Sequence, residues 1–217
     1  MDKSAILARV DHTLLSPTAT RDELYTLCDE ARRFSCASVC VPPALVNAAK
    51  RYLKGRLPVC TVIGFPNGYH TTAAKIAEAR LALEDGADEL DMVVNLGMVK
   101  EGDFAAVTAE IAALKAVCGT RVLKVIVETC LLTEAEKIAL CACVSDAGAD
   151  FIKTSTGFSK GGATVEDVRL FKAHVTDTVK IKAAGGIRTF EAAEALIAAG
   201  ADRIGASALV KLMQNPT

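Results

Sequence analysis

The triplet Gly-Ala-Asp occurs three times, at 86–88, 148–150 and 200–202, each time between an alanine-rich stretch and a short apolar run. Glycine suits a helix C-terminus because it adopts a left-handed backbone at little cost. A strand then follows at once. Helices that close on glycine and give way to short β-branched runs imply repeated β/α units around a parallel sheet. Apolar runs of this kind are predicted as strands at 10–13, 37–41, 59–64, 89–94, 122–128, 150–155, 180–184 and 203–207. The first is the weakest, and without it a seven-stranded arrangement remains. Eight strands fit a closed barrel better than an open sheet. The segments Thr72 to Asp85 and Thr189 to Ala199 are rich in helix formers, and Thr164 before Glu166 and Asp167 has the form of a helix N-cap. The expected fold class is α/β: a single, compact (β/α)8 TIM barrel with a short N-terminal helix, spanning residues 1–217 as one catalytic domain.

At 217 residues the chain can bury one sizeable core, although a barrel of this length is shorter than the usual ~250 residues. Its 25 basic and 26 acidic residues nearly cancel, and no basic run or basic-aromatic stripe occurs, so nucleic acid is not an expected partner. No segment is apolar for long enough to span a bilayer, and the short apolar stretch after Ser4 is broken by Arg9 and Asp11. A cytoplasmic protein is expected, without membrane attachment. The eight cysteines form no Cys-x-x-Cys pair, and several lie within apolar runs, so buried reduced thiols are expected. Cys40 stands apart because it lies near a strand end. His12, His70 and His174 lack metal-ligand spacing, and no metal or cofactor is expected. His12 is expected to be structural or to line the barrel mouth.

Aligned on the triplets, Leu90-Asp91-Met92, Ile152-Lys153-Thr154 and Ile204-Gly205-Ala206 share one offset, and Leu123-Lys124-Val125 and Ile181-Lys182-Ala183 have the same local form. Side chains alternate across a strand. If Leu90, Leu123, Ile152, Ile181 and Ile204 face the helices, one interior layer holds Asp91, Lys124, Lys153 and Lys182, with Gly205 leaving space. Charge inside a parallel barrel is costly without a partner or a task. A nucleophilic amine must be neutral, whereas an ordinary lysine with pKa about 10.4 is almost wholly charged at pH 7. Two like charges about 5 Å apart repel by roughly 3 kcal/mol at an effective dielectric of about 20. Lys124 and Lys182 are therefore expected to drive a proton from Lys153, a known route to a Schiff-base lysine. Asp91 would balance charge and relay protons through water. On these grounds Lys153 and Lys182 are both candidate nucleophiles, and the central place of Lys153 favours it. The alternatives are another Schiff-base barrel lyase acting on a different phosphorylated sugar, a pyridoxal-phosphate carrier and a purely structural charge network.

Three glycine-bearing segments follow neighbouring strands: Gly157 to Gly162, Gly185-Gly186-Ile187-Arg188 and Gly205-Ala206-Ser207. Glycine lets backbone N–H groups approach an anion, and the loops after strands 7 and 8 of such barrels commonly hold phosphate. Gly157, Gly185, Gly186, Gly205 and Ser207 are the expected phosphate contacts.

With these residues in place, the chain strongly resembles the deoxyribose-phosphate aldolases. Val10-Asp11-His12-Thr13-Leu14-Leu15, Val39-Cys40-Val41-Pro42-Pro43, Val62-Ile63-Gly64-Phe65-Pro66, Glu89 to Asn95, Lys124 to Thr129, Phe151 to Phe158 and Lys182 to Arg188 carry the resemblance in order along nearly the whole chain. It implies a cofactor-free class I aldolase that cleaves 2-deoxy-D-ribose 5-phosphate reversibly into D-glyceraldehyde 3-phosphate and acetaldehyde. It further implies Lys153 as the Schiff-base lysine, Lys182 as the lysine that perturbs it and Asp91 as the proton-transfer group. A homodimer or larger homo-oligomer is implied as well. Two features depart from the family. Ala206 and Ala208 flank Ser207 where many members carry hydroxyls, and the chain ends Asn215-Pro216-Thr217 where some carry a tyrosine. Lys160 is expected to compensate at the phosphate.

Overall fold

The computed structural model describes residues 1–214; the terminal stretch 215–217, on which the expected lack of a tyrosine falls, lies outside the described residues. Eight parallel strands close into a barrel in sequence order: β1 (Val10–Thr13), β2 (Ser38–Val41), β3 (Val59–Ile63), β4 (Glu89–Val93), β5 (Val122–Ile126), β6 (Phe151–Lys153), β7 (Lys180–Ala184) and β8 (Arg203–Ala206). The weakly signalled first strand is real. It pairs with both β2 and β8 and so closes the ring. Helices α1 (Lys3–Leu7), α2 (Arg21–Arg33), α3 (Val46–Leu53), α4 (Thr72–Glu84), α5 (Leu96–Lys100), α6 (Phe104–Cys118), α7 (Glu134–Asp146), α8 (Val165–His174), α9 (Phe190–Ala199) and α10 (Ala208–Gln214) complete the order. Threonine opens five of them. Thr20, Thr71, Thr133, Thr164 and Thr189 each accept a backbone N–H of the first turn, satisfying a donor the helix itself cannot.

The repeated triplet has a structural task beyond ending helices. Asp88, Asp150 and Asp202 each grip one residue of the preceding strand twice. Their backbone N–H groups donate to the carbonyls of Val59, Leu123 and Ile181. Their carboxylates accept the N–H of those same residues at 2.9, 2.8 and 2.9 Å. Thus β4, β6 and β8 are each pinned in register to β3, β5 and β7.

The apolar core lies between barrel and helices. Leu90, Met92, Leu123, Val125, Ile152, Ile181 and Ile204 face outward and pack with Ile111, Leu140, Val168 and Phe171 of the helices, all essentially inaccessible to solvent. The alternation expected from sequence therefore holds. Several strands stop short of their expected C-terminal limits: β5 ends at Ile126 rather than 128, and β6 spans only Phe151–Lys153 rather than 150–155. There the backbone leaves the ladder, because Glu128 adopts a left-handed conformation (φ 58°) and Thr154 and Thr156 bond through their side chains.

Candidate active site

With Leu90, Leu123, Ile152, Ile181 and Ile204 turned outward, the charged residues beside them on the same strands turn inward, next to a small apolar cluster of Cys40, Cys60 and Val62. Asp91 of β4 lies at the centre of the barrel and is fully buried. Its Oδ1 accepts from Lys124 Nζ at 2.8 Å and from Cys60 Sγ at 3.1 Å. Its Oδ2 accepts from Lys153 Nζ at 2.7 Å and Lys182 Nζ at 2.6 Å. All three lysines foreseen inside the barrel therefore converge on the foreseen aspartate. Gly205 leaves space as expected: a Cβ there would come within 2.9 Å of Ala184 Cβ and 3.2 Å of Lys182 Cε.

The single layer is not what forms. Lys153 is level with Lys182, but its partner on β5 is Ile126, and Lys124 pairs with Phe151 two residues deeper. Closing the barrel staggers the strands, so segments of the same local form need not share a level. Lys124 is level with Asp91 on the neighbouring strand and does not flank Lys153.

Three interior residues that the sequence reading did not single out complete the cluster: Asp11, Glu89 and Arg203. Lys182 Nζ lies 2.5 Å from Asp11, Lys124 Nζ lies 2.6 Å from Glu89, and Arg203 reaches both carboxylates. Four cations therefore face three carboxylates. Burial opposes ionisation of Asp91, yet Lys124, Lys153 and Lys182 outweigh it and hold its carboxyl well below the usual range. Asp11 is likewise held low against burial, by Lys182, Lys124 and Arg203. Burial also opposes the charge on Lys182, but Asp11 and Asp91 raise it above an ordinary amine. Lys124 is raised in the same way, chiefly by Asp91. Both are fixed cations. The expected mutual repulsion of the lysines is thus answered by carboxylates; Lys124 and Lys182 each touch more than one, and Lys153 is the exception in touching Asp91 alone.

Access also sets Lys153 apart. A cavity of about 820 Å³ opens at the C-terminal ends of the strands, and Lys153 lines it whereas Lys124 and Lys182 do not. Gly157, Gly185, Gly186, Gly205 and Ser207, expected around a phosphate, line the same cavity. The loops meet closely. A Cβ on Gly162 would fall 2.2 Å from the Gly185 carbonyl oxygen, so only glycine fits between them. Lys160 is exposed and does not line the cavity; its loop leaves the cavity after Phe158. Arg188 and Lys211 of α10 supply the basic side chains instead. His12 also lines the cavity, buried, with Nε2 bonded to Glu30 at 2.8 Å, and burial lowers its pKa.

Cys40 and Cys60 lie side by side on β2 and β3, and their sulfurs and an Asp91 oxygen fall within 4.8 Å of one another. Such a trio has the donor types of a soft-metal site. Here Asp91 already neutralises lysines, so a divalent cation would have to displace ammonium groups. The remaining thiols are chemically quiet. Burial pushes Cys28, Cys36 and Cys141 up to about 12 and Cys118 up to about 11. Cys40 is drawn down by its bond to Cys60 but is only 1% exposed. Cys130 alone is partly accessible. At pH 8 the native protein should therefore react quickly with Ellman's reagent at about one thiol, and the other seven only on unfolding. Cys130→Ser should remove the fast phase.

The comparisons agree with this architecture. Residues 5–215 match the model of the DeoC/LacD family aldolases. The chain is 54% identical over 215 residues to the deoxyribose-phosphate aldolase of Streptococcus pyogenes serotype M4, covering 99% of this chain and 96% of that one. A solved structure from Coccidioides immitis, provisionally assigned as a deoxyribose-phosphate aldolase, superimposes with a TM-score of 0.94 at 43% identity, covering 97% of this chain and 85% of that one. The tetrameric deoxyribose phosphate aldolase of Aeropyrum pernix gives a TM-score of 0.88 at 30% identity, covering 100% and 94%. An eight-stranded barrel with a lysine-ringed aspartate at its centre, matched over nearly its whole length, belongs to the DeoC/LacD family of aldolases.

Proposed function

We propose that this aldolase cleaves 2-deoxy-D-ribose 5-phosphate reversibly into D-glyceraldehyde 3-phosphate and acetaldehyde through a Schiff base on Lys153. One observation carries the choice of residue: of the three lysines on Asp91, Lys153 is the one that lines the cavity. The charge count supports it. Lys124, Lys182 and Arg203 already stand against Asp11, Glu89 and Asp91 in balance, so taking Lys153 up in an imine strands no carboxylate.

The neutral amine attacks C1 of the open-chain sugar, and loss of water leaves a protonated imine. That imine withdraws electrons as the C2–C3 bond breaks. A base takes the C3 hydroxyl proton, and D-glyceraldehyde 3-phosphate departs. The enamine left on Lys153 is protonated at C2 and hydrolysed to acetaldehyde. Asp91 relays these protons through water, and Lys182 beside it holds positive charge near the developing electron pair. The glycine loops with Ser207 take the phosphate, aided by Arg188 and Lys211. The same proposal takes residues 1–217 as one catalytic domain. It places the protein in the cytoplasm as a homo-oligomer, in keeping with the tetrameric relative; no described helix is long and apolar enough to cross a membrane.

Incubation with 2-deoxyribose 5-phosphate should release acetaldehyde, measurable with alcohol dehydrogenase and NADH. Unphosphorylated 2-deoxyribose should show a kcat/KM lower by at least about 100-fold, because binding energy from the phosphate is used at the reacting centre. Release of no acetaldehyde would remove the proposal.

A further inference from the structure

Glu128 combines two costly features. Its backbone is left-handed (φ 58°, ψ 63°), which a residue bearing a Cβ seldom adopts. Its carboxylate is buried, the residue being 3% exposed, and among the described residues no cation pairs with it. Such strain persists where its surroundings impose it, and it gathers at working sites.

All of the side-chain bonds of Glu128 go to one residue. Thr156 donates its backbone N–H to Oε1 at 3.2 Å and to Oε2 at 3.3 Å, and its hydroxyl donates to Oε2. Thr156 Oγ1 in turn accepts the N–H of Phe158 at 3.0 Å. A carboxylate only accepts, so it turns the threonine proton inward and leaves the lone pairs for Phe158. One side chain of the strand-5 loop thus fixes a hydroxyl and two amides around Gly157. Thr156, Gly157 and Phe158 all line the cavity, three to five positions beyond Lys153. The backbone ties the same segments together: Val127 N–H donates to the Lys153 carbonyl and Thr129 N–H to that of Thr154.

We propose that Glu128 is a positioning residue: acting through Thr156, it sets the strand-6 loop against the phosphorylated half of the substrate and leaves the amine chemistry of Lys153 untouched. Glutamine is the same size but turns an N–H₂ group toward donors, so the arrangement requires the acid. The inference rests on the proposed substrate, and its test separates the two.

The test compares Glu128→Gln, Thr156→Val and Thr156→Ser in steady-state cleavage of 2-deoxyribose 5-phosphate and in the rate of borohydride trapping of acetaldehyde, which carries no phosphate, on Lys153. Glu128→Gln should raise KM by about tenfold or more and leave trapping within about twofold. Thr156→Val should do the same, Thr156→Ser should recover most of the affinity lost in Thr156→Val, and Glu128→Gln combined with Thr156→Val should be no worse than either alone. A KM within about twofold of the parent protein in Glu128→Gln, or trapping lost in step with KM, would overturn the inference. If Glu128→Gln does not fold, Thr156→Val against Thr156→Ser decides it by the same two readouts. Failure of the parent protein to cleave the phosphosugar while trapping acetaldehyde would instead count against the substrate.

Discussion

Lys153→Met should abolish cleavage, with kcat lower by at least about 10⁴-fold, equal to about 5 kcal/mol of transition-state stabilisation. The fold should not suffer. The substitution removes one ammonium from a cluster in which four cations face three carboxylates, and methionine keeps the unbranched stem. The melting temperature should therefore stay level or rise, and circular dichroism should be unchanged. Lys182→Met makes the informative contrast. Lys182 bridges Asp11 and Asp91, so its loss breaks two buried ion pairs where loss of Lys153 breaks one, and should reduce stability as well as rate. The number of buried carboxylates each one touches thus separates two neighbouring lysines that sequence spacing alone leaves equivalent.

Asp91→Asn carries the second large expectation. The amide keeps the shape but removes the negative charge shared by Lys124, Lys153 and Lys182 and turns one acceptor oxygen into a donor, and breaking a buried pair of this kind costs about 3–5 kcal/mol. Loss of proton relay should lower kcat by at least about 100-fold in the molecules that remain folded. The pH dependence has a definite sign. The folded Asp91 carboxyl titrates below its unfolded value of about 3.9, so its stabilisation is complete above that value and is lost as pH falls through the folded one. Lys182 is raised, so its stabilisation is complete below about 10.4 and is lost only as pH rises through its folded value. The stability gap between the parent protein and Asp91→Asn should accordingly be flat between about pH 5 and 9 in urea unfolding, and close only in acid. A gap that closed near pH 7 would mean that Asp91 is not the fixed anion at the centre of the cluster.

The barrel could be read from sequence because its devices are local. A glycine that closes a helix, an aspartate that opens a strand and period-two alternation each operate within a few residues, and the structure adds that Asp88, Asp150 and Asp202 pin register. Lys153, Lys182 and Asp91 were legible because charge at inward positions of apolar strands is conspicuous. Register was not legible. Leu123-Lys124-Val125 has the same form as Ile152-Lys153-Thr154, yet it lies two residues deeper, since stagger belongs to the closed ring and not to any one strand. Asp11, Glu89 and Arg203 escaped notice for separate reasons. Asp11 is in the weakest strand signal. Glu89 and Arg203 directly follow the triplets and look like a continuation of the turn. Parity was the available signal, because Glu89 is two residues before Asp91 and Arg203 two before Gly205, both inward. Glu128 gave none, since its conformation and its bond to Thr156 depend on a contact 28 residues away.

Reductive trapping bears on the central claim most directly. The protein would be incubated with acetaldehyde and borohydride, digested, and the modified lysine located by mass spectrometry. One ethyl group on Lys153, absent without aldehyde and formed also from 2-deoxyribose 5-phosphate, whose cleavage passes through the same two-carbon imine, is the expected result. An ethyl group on Lys182, or none on Lys153 while cleavage proceeds, would contradict the account.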